Sequence, residues 1–217
     1  MSLSAGFVPV ASGTEVLGYL ITPATGASLL RRRPKINVMP QSSVFSLSQY
    51  CDTVGPMAKI VADFANLLDV LENPKYLQNQ RSYIDAFPGD FWELRIHATA
   101  QLSSRPNALA LDPLTLTASD LQDLLQTGKI TSVEIVKMYL DQIQKHNLKG
   151  MGIRAVISTL PREKAIAFAQ ELDDERATKG ARGPMHGIPI LVKVRDLSSR
   201  GVVYLTSSYN CLLRIQF

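Results

Sequence analysis

The second half of the chain alternates between helix-like and strand-like patterns, and this alternation restricts the folds it can adopt. Two stretches, starting at Thr117 and Thr131, place a carboxylate three residues after a hydroxyl and continue with apolar residues at helical spacing. This arrangement is a capping box, in which hydroxyl and carboxylate each accept from a free amide of the first turn. Gly128 provides a natural end for the first stretch. The sequence therefore predicts two consecutive amphipathic helices.

The remainder of this half adds two strands and a third helix. Apolar runs at 152–158 and 188–194 predict buried strands, and a helix is expected from Pro161 to about Lys179. The RGPMHGIP sequence before the second run predicts a rigid loop. Helix, helix, strand, helix, loop, strand is the order typical of an α/β fold.

The first half is punctuated differently, by prolines that exclude long helices near its start: Pro23, Pro34 and Pro40. Short β-prone runs occupy 7–10 and 16–21. Apolar residues at helical spacing then predict an amphipathic helix from Met57 to Glu72, which Pro74 ends. Between about 75 and 113 we expect irregular structure with one short helix.

The composition favours a folded chain with a core. Of the 217 residues, 46% are hydrophobic, and the mean hydropathy is +0.04. No apolar run reaches the roughly 20 residues that a membrane-spanning helix needs. The N-terminal sequence lacks the basic flank of a signal peptide. We therefore expect a cytoplasmic location and no membrane partner.

The charged residues and the potential metal ligands give little support to a nucleic-acid partner or to a bound metal. The net charge is +4, and the only basic run is Arg31–Arg33. That run is compatible with a nucleic-acid or nuclear-import patch or with a solvated turn; without interleaved aromatic residues we predict no nucleic-acid partner. Cys51, Cys211 and the three histidines lack metal-ligand spacing, so no metal or cofactor is predicted.

Three stretches of the second half carry a family resemblance: LLQTGKITSVEIVKMYLDQI, GIRAVIS and, most specifically, HGIPILVK. Together they resemble the N-terminal part of the amidase-signature family, over roughly Ala118 to Leu213. The family hydrolyses amide bonds with a serine nucleophile, a second serine in a cis peptide, and a lysine. The resemblance implies that Lys193 stands at the position of that lysine.

The first half resembles a later part of the same family. GFVPVASGTEVLGYLITPA is similar to the end of the amidase signature, and DTVGPMA is typical of the segment that follows it. The two halves therefore occur in inverted order. We predict a post-nucleophile segment at 1–88, an irregular connector at 89–116 and an N-terminal-type segment at 117–217. The resemblance implies a mixed sheet flanked by helices, an incomplete version of the amidase-signature fold, whose two segments dock only partly.

The chemistry of such a site is a proton relay. A serine hydroxyl needs an adjacent base, and a lysine can supply one only when burial holds it neutral. Taken without the family, Lys193 could instead be a strand-end lysine that reaches water.

The sequence departs from the family at several of these positions. Tyr19 occupies the nucleophile position, Ile21 replaces an arginine, Val194 replaces an aspartate, and no Gly-Gly-Ser-Ser-Gly-type loop for the bridging serine is found. A phenol is bulkier than a serine hydroxyl and is not suited to the same attack. Paired carboxylates at Glu15 and Asp52 would be an alternative acid–base site, but we predict turn and capping roles for them.

Three functional hypotheses follow from these residues. The first is an amidase-family protein that has lost its activity, as a fusion of the tail of one amidase copy to the head of another would produce. The second is a non-catalytic binding or regulatory protein that pairs with an intact amidase or with itself. The third is an active hydrolase of small-molecule amides that uses another serine near Lys193.

Overall fold

The computed structural model describes residues 2–36, 38–39, 50–72, 82–85, 111–156, 159–193 and 211–215. Within these ranges the chain forms five strands: β1 (Val10–Glu15), β2 (Leu30–Arg31), β3 (Thr53–Ala58), β4 (Pro189–Lys193) and β5 (Cys211–Ile215). It also forms five helices: α1 (Ile21–Gly26), α2 (Val61–Leu71), α3 (Ala118–Gln126), α4 (Ser132–His146) and α5 (Arg162–Lys179).

All five strands belong to one sheet, in the order β2-β3-β1-β4-β5. β1 pairs antiparallel with β3 and parallel with β4, with Val10 opposite Ile190 and Ser12 opposite Val192. β2 pairs antiparallel with β3, and β5 pairs antiparallel with β4. The sheet is therefore mixed, and the predicted α/β fold with a mixed sheet flanked by helices is confirmed.

Two hydrophobic clusters include residues of the sheet, and neighbouring strand residues belong to different clusters because successive side chains of a strand point to opposite faces. Ala11 and Leu191 share one cluster with buried residues of α4 and α5. Val10 and Ile190 share the other with buried residues of α2, α3 and α4. Both clusters draw on the two predicted segments, so these pack far more closely than the partial docking expected from the sequence.

The two predicted capping boxes are present. The Thr117 hydroxyl accepts from the Asp120 amide at 3.1 Å, and the Asp120 carboxylate accepts from the Thr117 amide at 3.0 Å. Thr131 and Glu134 repeat the arrangement at the start of α4. Gly128, with φ of +66°, follows α3 as predicted.

One predicted element of the first half is wrong, and another is present but begins later than predicted. The run 16–21 is not a strand: β1 ends at Glu15, and α1 begins at Ile21. The helix predicted from Met57 begins only at Val61, because Met57 and Ala58 pair with β1 as the end of β3. In both cases the ladder between β1 and β3 determines the boundary, and no local pattern marks it.

The strand predicted at 152–158 is also absent over its described part, 152–156. The side chain of Asn147 bonds both backbone groups of Val156, with its oxygen accepting from the Val156 amide at 2.9 Å. Gly152 and Arg154 adopt φ of +60° and +50°, which a strand does not allow. Ala155 and Val156 are nevertheless buried, so the apolar run indicated burial correctly.

Other predictions meet the described residues only in part. Most of the connector predicted at 89–116, and most of the stretch 75–113, lies outside the described residues.

The basic run Arg31–Arg33 is exposed. Arg31 ends the edge strand β2, and Arg33 donates to the Cys51 carbonyl at 2.8 Å. No helix within the described ranges is long and apolar enough to cross a membrane.

Candidate active site

The candidate site lies where β1 and β4 end. The two strands are parallel neighbours, so their carboxyl ends meet at one edge of the sheet. Lys193 is the last residue of β4, directly after Val192, which is paired with Ser12. The loop 16–20, which carries Tyr19, follows β1 at the same edge. In this register the backbone of Lys193 lies level with Gly13, three residues before the loop 16–20 begins.

The Tyr19 loop presents apolar side chains to solvent. Leu17 is 89% exposed, Tyr19 is 54% exposed, and Ile21, which begins α1, is 38% exposed. The side chain of Lys193 lies outside the described part of the chain, and so does Val194. The structure thus shows that the strand ending at Lys193 and the strand leading into the Tyr19 loop are neighbours in the sheet.

Glu15 organises the Tyr19 loop. Its buried carboxylate accepts from the amides of Leu20 at 2.7 Å and Ile21 at 3.0 Å, and it accepts a further bond from the Gly18 amide. Burial alone would raise the pKa of Glu15, but these three amides, with the charge of Arg33, hold the pKa below its usual value. Glu15 therefore has the turn-organising role predicted for it and fixes the backbone on both sides of Tyr19.

The buried side chain of Leu20 packs the Tyr19 loop against the sheet. It is 1% exposed, and it lies over Gly13 and Gly55, which face each other across β1 and β3. A Cβ at Gly13 would stand 2.9 Å from Leu20 Cδ1, and one at Gly55 only 2.2 Å from the carbonyl oxygen of Arg32. The pair of glycines thus leaves the space that Leu20 fills.

The RGPMHGIP loop before β4 is fixed by its histidine. His186 Nε2 lies 2.9 Å from the Leu172 carbonyl, its Nδ1 accepts from the Arg182 amide at 3.3 Å, and its carbonyl accepts from Arg176 at 2.7 Å. Gly187 adopts φ of +79°, and a Cβ there would stand 2.1 Å from Ser132 Oγ. His186 therefore positions β4 and is not exposed for chemistry.

Sequence patterns alone did not reveal several of these positions. Gly13 and Gly55 occur in separate motifs, and only strand register makes them neighbours. Asp52, the other carboxylate considered for acid–base chemistry, is buried.

No cluster of three metal-ligating side chains occurs within the ranges the structure describes, and the absence of a cofactor stays a prediction.

Comparison with known proteins agrees with the amidase resemblance of the sequence motifs. The family model described as Amidase matches residues 1–101. A Schizosaccharomyces pombe protein named as an amidase is 40% identical over 77 residues, which is 36% of this chain and 12% of that protein. A glutamyl-tRNA(Gln) amidotransferase subunit from Heliobacterium modesticaldum is 39% identical over 79 residues, 36% of this chain and 15% of its own length. The matched stretch thus spans only a small part of these curated relatives.

Among solved structures, an amidase family protein from Bacillus anthracis superposes on 88% of this chain and 48% of its own, at 17% identity and a TM-score of 0.37. A peptide amidase bound to chymostatin superposes on 96% of this chain and 55% of its own, at 18% identity and a TM-score of 0.34. The family match and the curated relatives agree with the resemblance seen in the sequence: residues 1–101 of this chain match the amidase family model, and stretches of 77 and 79 residues are similar to proteins named as amidases or as an amidotransferase subunit.

Proposed function

We propose that this chain is an amidase-family protein that does not hydrolyse amide bonds. The observation that carries the proposal is Tyr19, which stands where the family resemblance places the nucleophilic serine. We further propose that the inverted order of the two segments arose by joining the tail of one amidase copy to the head of another. The parallel pairing of β1 with β4 supports this origin, because it joins a strand of each segment.

Chemistry at the Tyr19 loop supports loss of activity. A nucleophilic serine needs a short side chain next to a base, with its oxygen close to the backbone. The phenolic oxygen of a tyrosine lies several bonds further from the backbone, and Tyr19 is 54% exposed. Glu15 holds the loop backbone in place, so the tyrosine oxygen cannot take the serine position by a small shift.

Turnover assays on the full chain test this proposal. Purified wild type, Lys193→Ala and Tyr19→Phe are incubated with simple aryl and aliphatic amides, and product is measured against buffer. We expect all three proteins to match the buffer rate. Turnover by the wild type that Lys193→Ala abolishes would overturn the proposal and would favour an active hydrolase with another serine near Lys193.

A second candidate function is binding without catalysis, to an intact amidase or to a second copy of this chain. The exposed apolar side chains at Leu17, Tyr19 and Ile21 favour it, because exposed apolar patches are common at protein interfaces. Size-exclusion chromatography with light scattering tests self-association, and a pull-down with an intact amidase tests the other pairing. Leu17→Ser should weaken any complex. A monomer at all concentrations, with no amidase retained, would dismiss this candidate.

A further inference from the structure

One buried carboxylate crosses between the two segments. Asp63, on α2, is fully buried, and its oxygens accept from the amides of Ala118 at 2.7 Å and Ser119 at 2.8 Å. It also accepts from the Ser119 hydroxyl at 2.6 Å. These amides belong to the first turn of α3, where backbone donors have no partner within the helix. An acid of the first segment therefore completes the start of the first helix of the second.

Lys59, four residues earlier, bonds the chain that leads into α3. Its ammonium group donates to the carbonyls of Pro113 at 3.3 Å, Leu114 at 2.9 Å and Leu116 at 3.2 Å. A lysine has three N–H donors, so this arrangement engages all of them. Lys59 and Asp63 thus recognise complementary backbone groups, carbonyls before α3 and amides at its start.

The N-terminal residues contact the same stretch. A Cβ at Gly6 would stand 2.8 Å from the backbone of Pro113 and Leu114, so the two chain stretches touch directly. Gln142, on α4, donates to the Ala5 carbonyl at 3.1 Å. Together with the β1–β4 ladder, these contacts make a continuous polar and apolar interface between the segments.

Burial of the two charged groups supports this interpretation. Partial burial lowers the pKa of Lys59, and full burial raises the pKa of Asp63, as expected when a charged group loses contact with water. A buried charged group is tolerated in an interface when its hydrogen bonds are satisfied. Here the bonds to backbone amides and carbonyls satisfy both groups.

We propose that the described residues between 2 and 72 carry a docking surface that binds the described residues between 111 and 193 without a covalent connection. The surface recognises its partner through the Asp63 contact with the start of α3, the Lys59 contact with three carbonyls, and the β1–β4 ladder. Its partner is an amidase-type N-terminal segment, which this chain supplies itself. The proposal is independent of catalysis and goes beyond the proposed function.

Cleavage of the full chain tests the docking surface. A protease recognition sequence with flexible glycine–serine flanks is inserted between residues 95 and 96, and complete cutting is checked on a denaturing gel. The two pieces should elute together from a size-exclusion column, with a dissociation constant below about 1 μM. Pieces that separate at concentrations of tens of micromolar would overturn the proposal.

Matched variants test the role of Asp63. Asp63→Ala should raise the dissociation constant of the cleaved pieces at least about tenfold, and Asp63→Asn, which keeps an acceptor oxygen, should raise it less. The control is Asp173→Ala: Asp173 accepts from the amides of Ser132 and Val133 at the start of α4, entirely within the second segment. Circular dichroism of the uncut variants checks their folding. An equal increase for Asp63→Ala and Asp173→Ala would refute a direct role for Asp63 in docking.

Discussion

The substitution Glu15→Gln is expected to loosen the Tyr19 loop. One carboxylate oxygen accepts from the Gly18 amide, and the other accepts from Leu20 and Ile21. A glutamine keeps one of these oxygens but presents an NH₂ group in place of the other. One amide of the loop would then face a donor, and the remaining bonds would lose their charge.

The expected cost follows from those bonds. A hydrogen bond to a charged group contributes about 1.5–3 kcal/mol, roughly twice a neutral one. Losing one bond and weakening two should lower the free energy of unfolding by about 2–4 kcal/mol at pH 7. Glu15 is 1% exposed, so water cannot replace the missing acceptor.

The difference between wild type and Glu15→Gln should depend on pH. The folded-state pKa of Glu15 is lowered from 4.5, so its stabilisation is fully present above that value. It is lost as the pH falls through the folded-state pKa, because the protonated acid is also a neutral group. Glutamine does not titrate, and the gap between the two proteins should therefore narrow below pH 4.5.

Urea unfolding followed by circular dichroism measures this gap at a series of pH values. A gap of about 2 kcal/mol or more at pH 7 that shrinks in acid is the expected result. A gap below about 0.5 kcal/mol, which is typical of a surface site, would refute the role of Glu15 in the loop. A gap that does not change with pH would do the same.

Two further substitutions test the packing. Gly55→Ala should cost about 1–3 kcal/mol in urea unfolding, because its Cβ would stand 2.2 Å from the Arg32 carbonyl oxygen; Gly26→Ala, with nothing within 4 Å, is the control and should not destabilise. Equal costs at the two glycines would contradict the close approach. Tyr139→Phe should raise the unfolding free energy or leave it unchanged, because the buried Tyr139 hydroxyl has no hydrogen-bond partner within the described structure. A loss above about 1 kcal/mol there would reveal a hydrogen bond that the structure does not show.

Local signals in the sequence predicted much of the fold. The capping boxes at Thr117 and Thr131 and the apolar stripes behind them specify α3 and α4 within a few residues, because hydroxyl, carboxylate and helix amide are all close in sequence. The strand that ends at Lys193 was found because its apolar run is short and bounded by a proline-containing loop.

The rest depends on contacts between distant residues. The pairing of β1 with β3 extends to Glu15 and includes Met57, so Met57 lies in a strand and not in the predicted helix. The side chain of Asn147 bonds the backbone of Val156 in the stretch where a strand was predicted. The bonds from Asp63 to α3 join positions 55 and 56 residues apart, which no local pattern indicates.

Fluorophosphonate labelling tests the central proposal most directly, that this chain, similar to amidases, lacks a working nucleophile after the end of β1. The purified full chain is treated with the probe, digested and analysed by mass spectrometry, with Lys193→Ala in parallel. We predict no labelled serine in either protein. A serine that is labelled in the wild type and loses its label in Lys193→Ala would contradict the account.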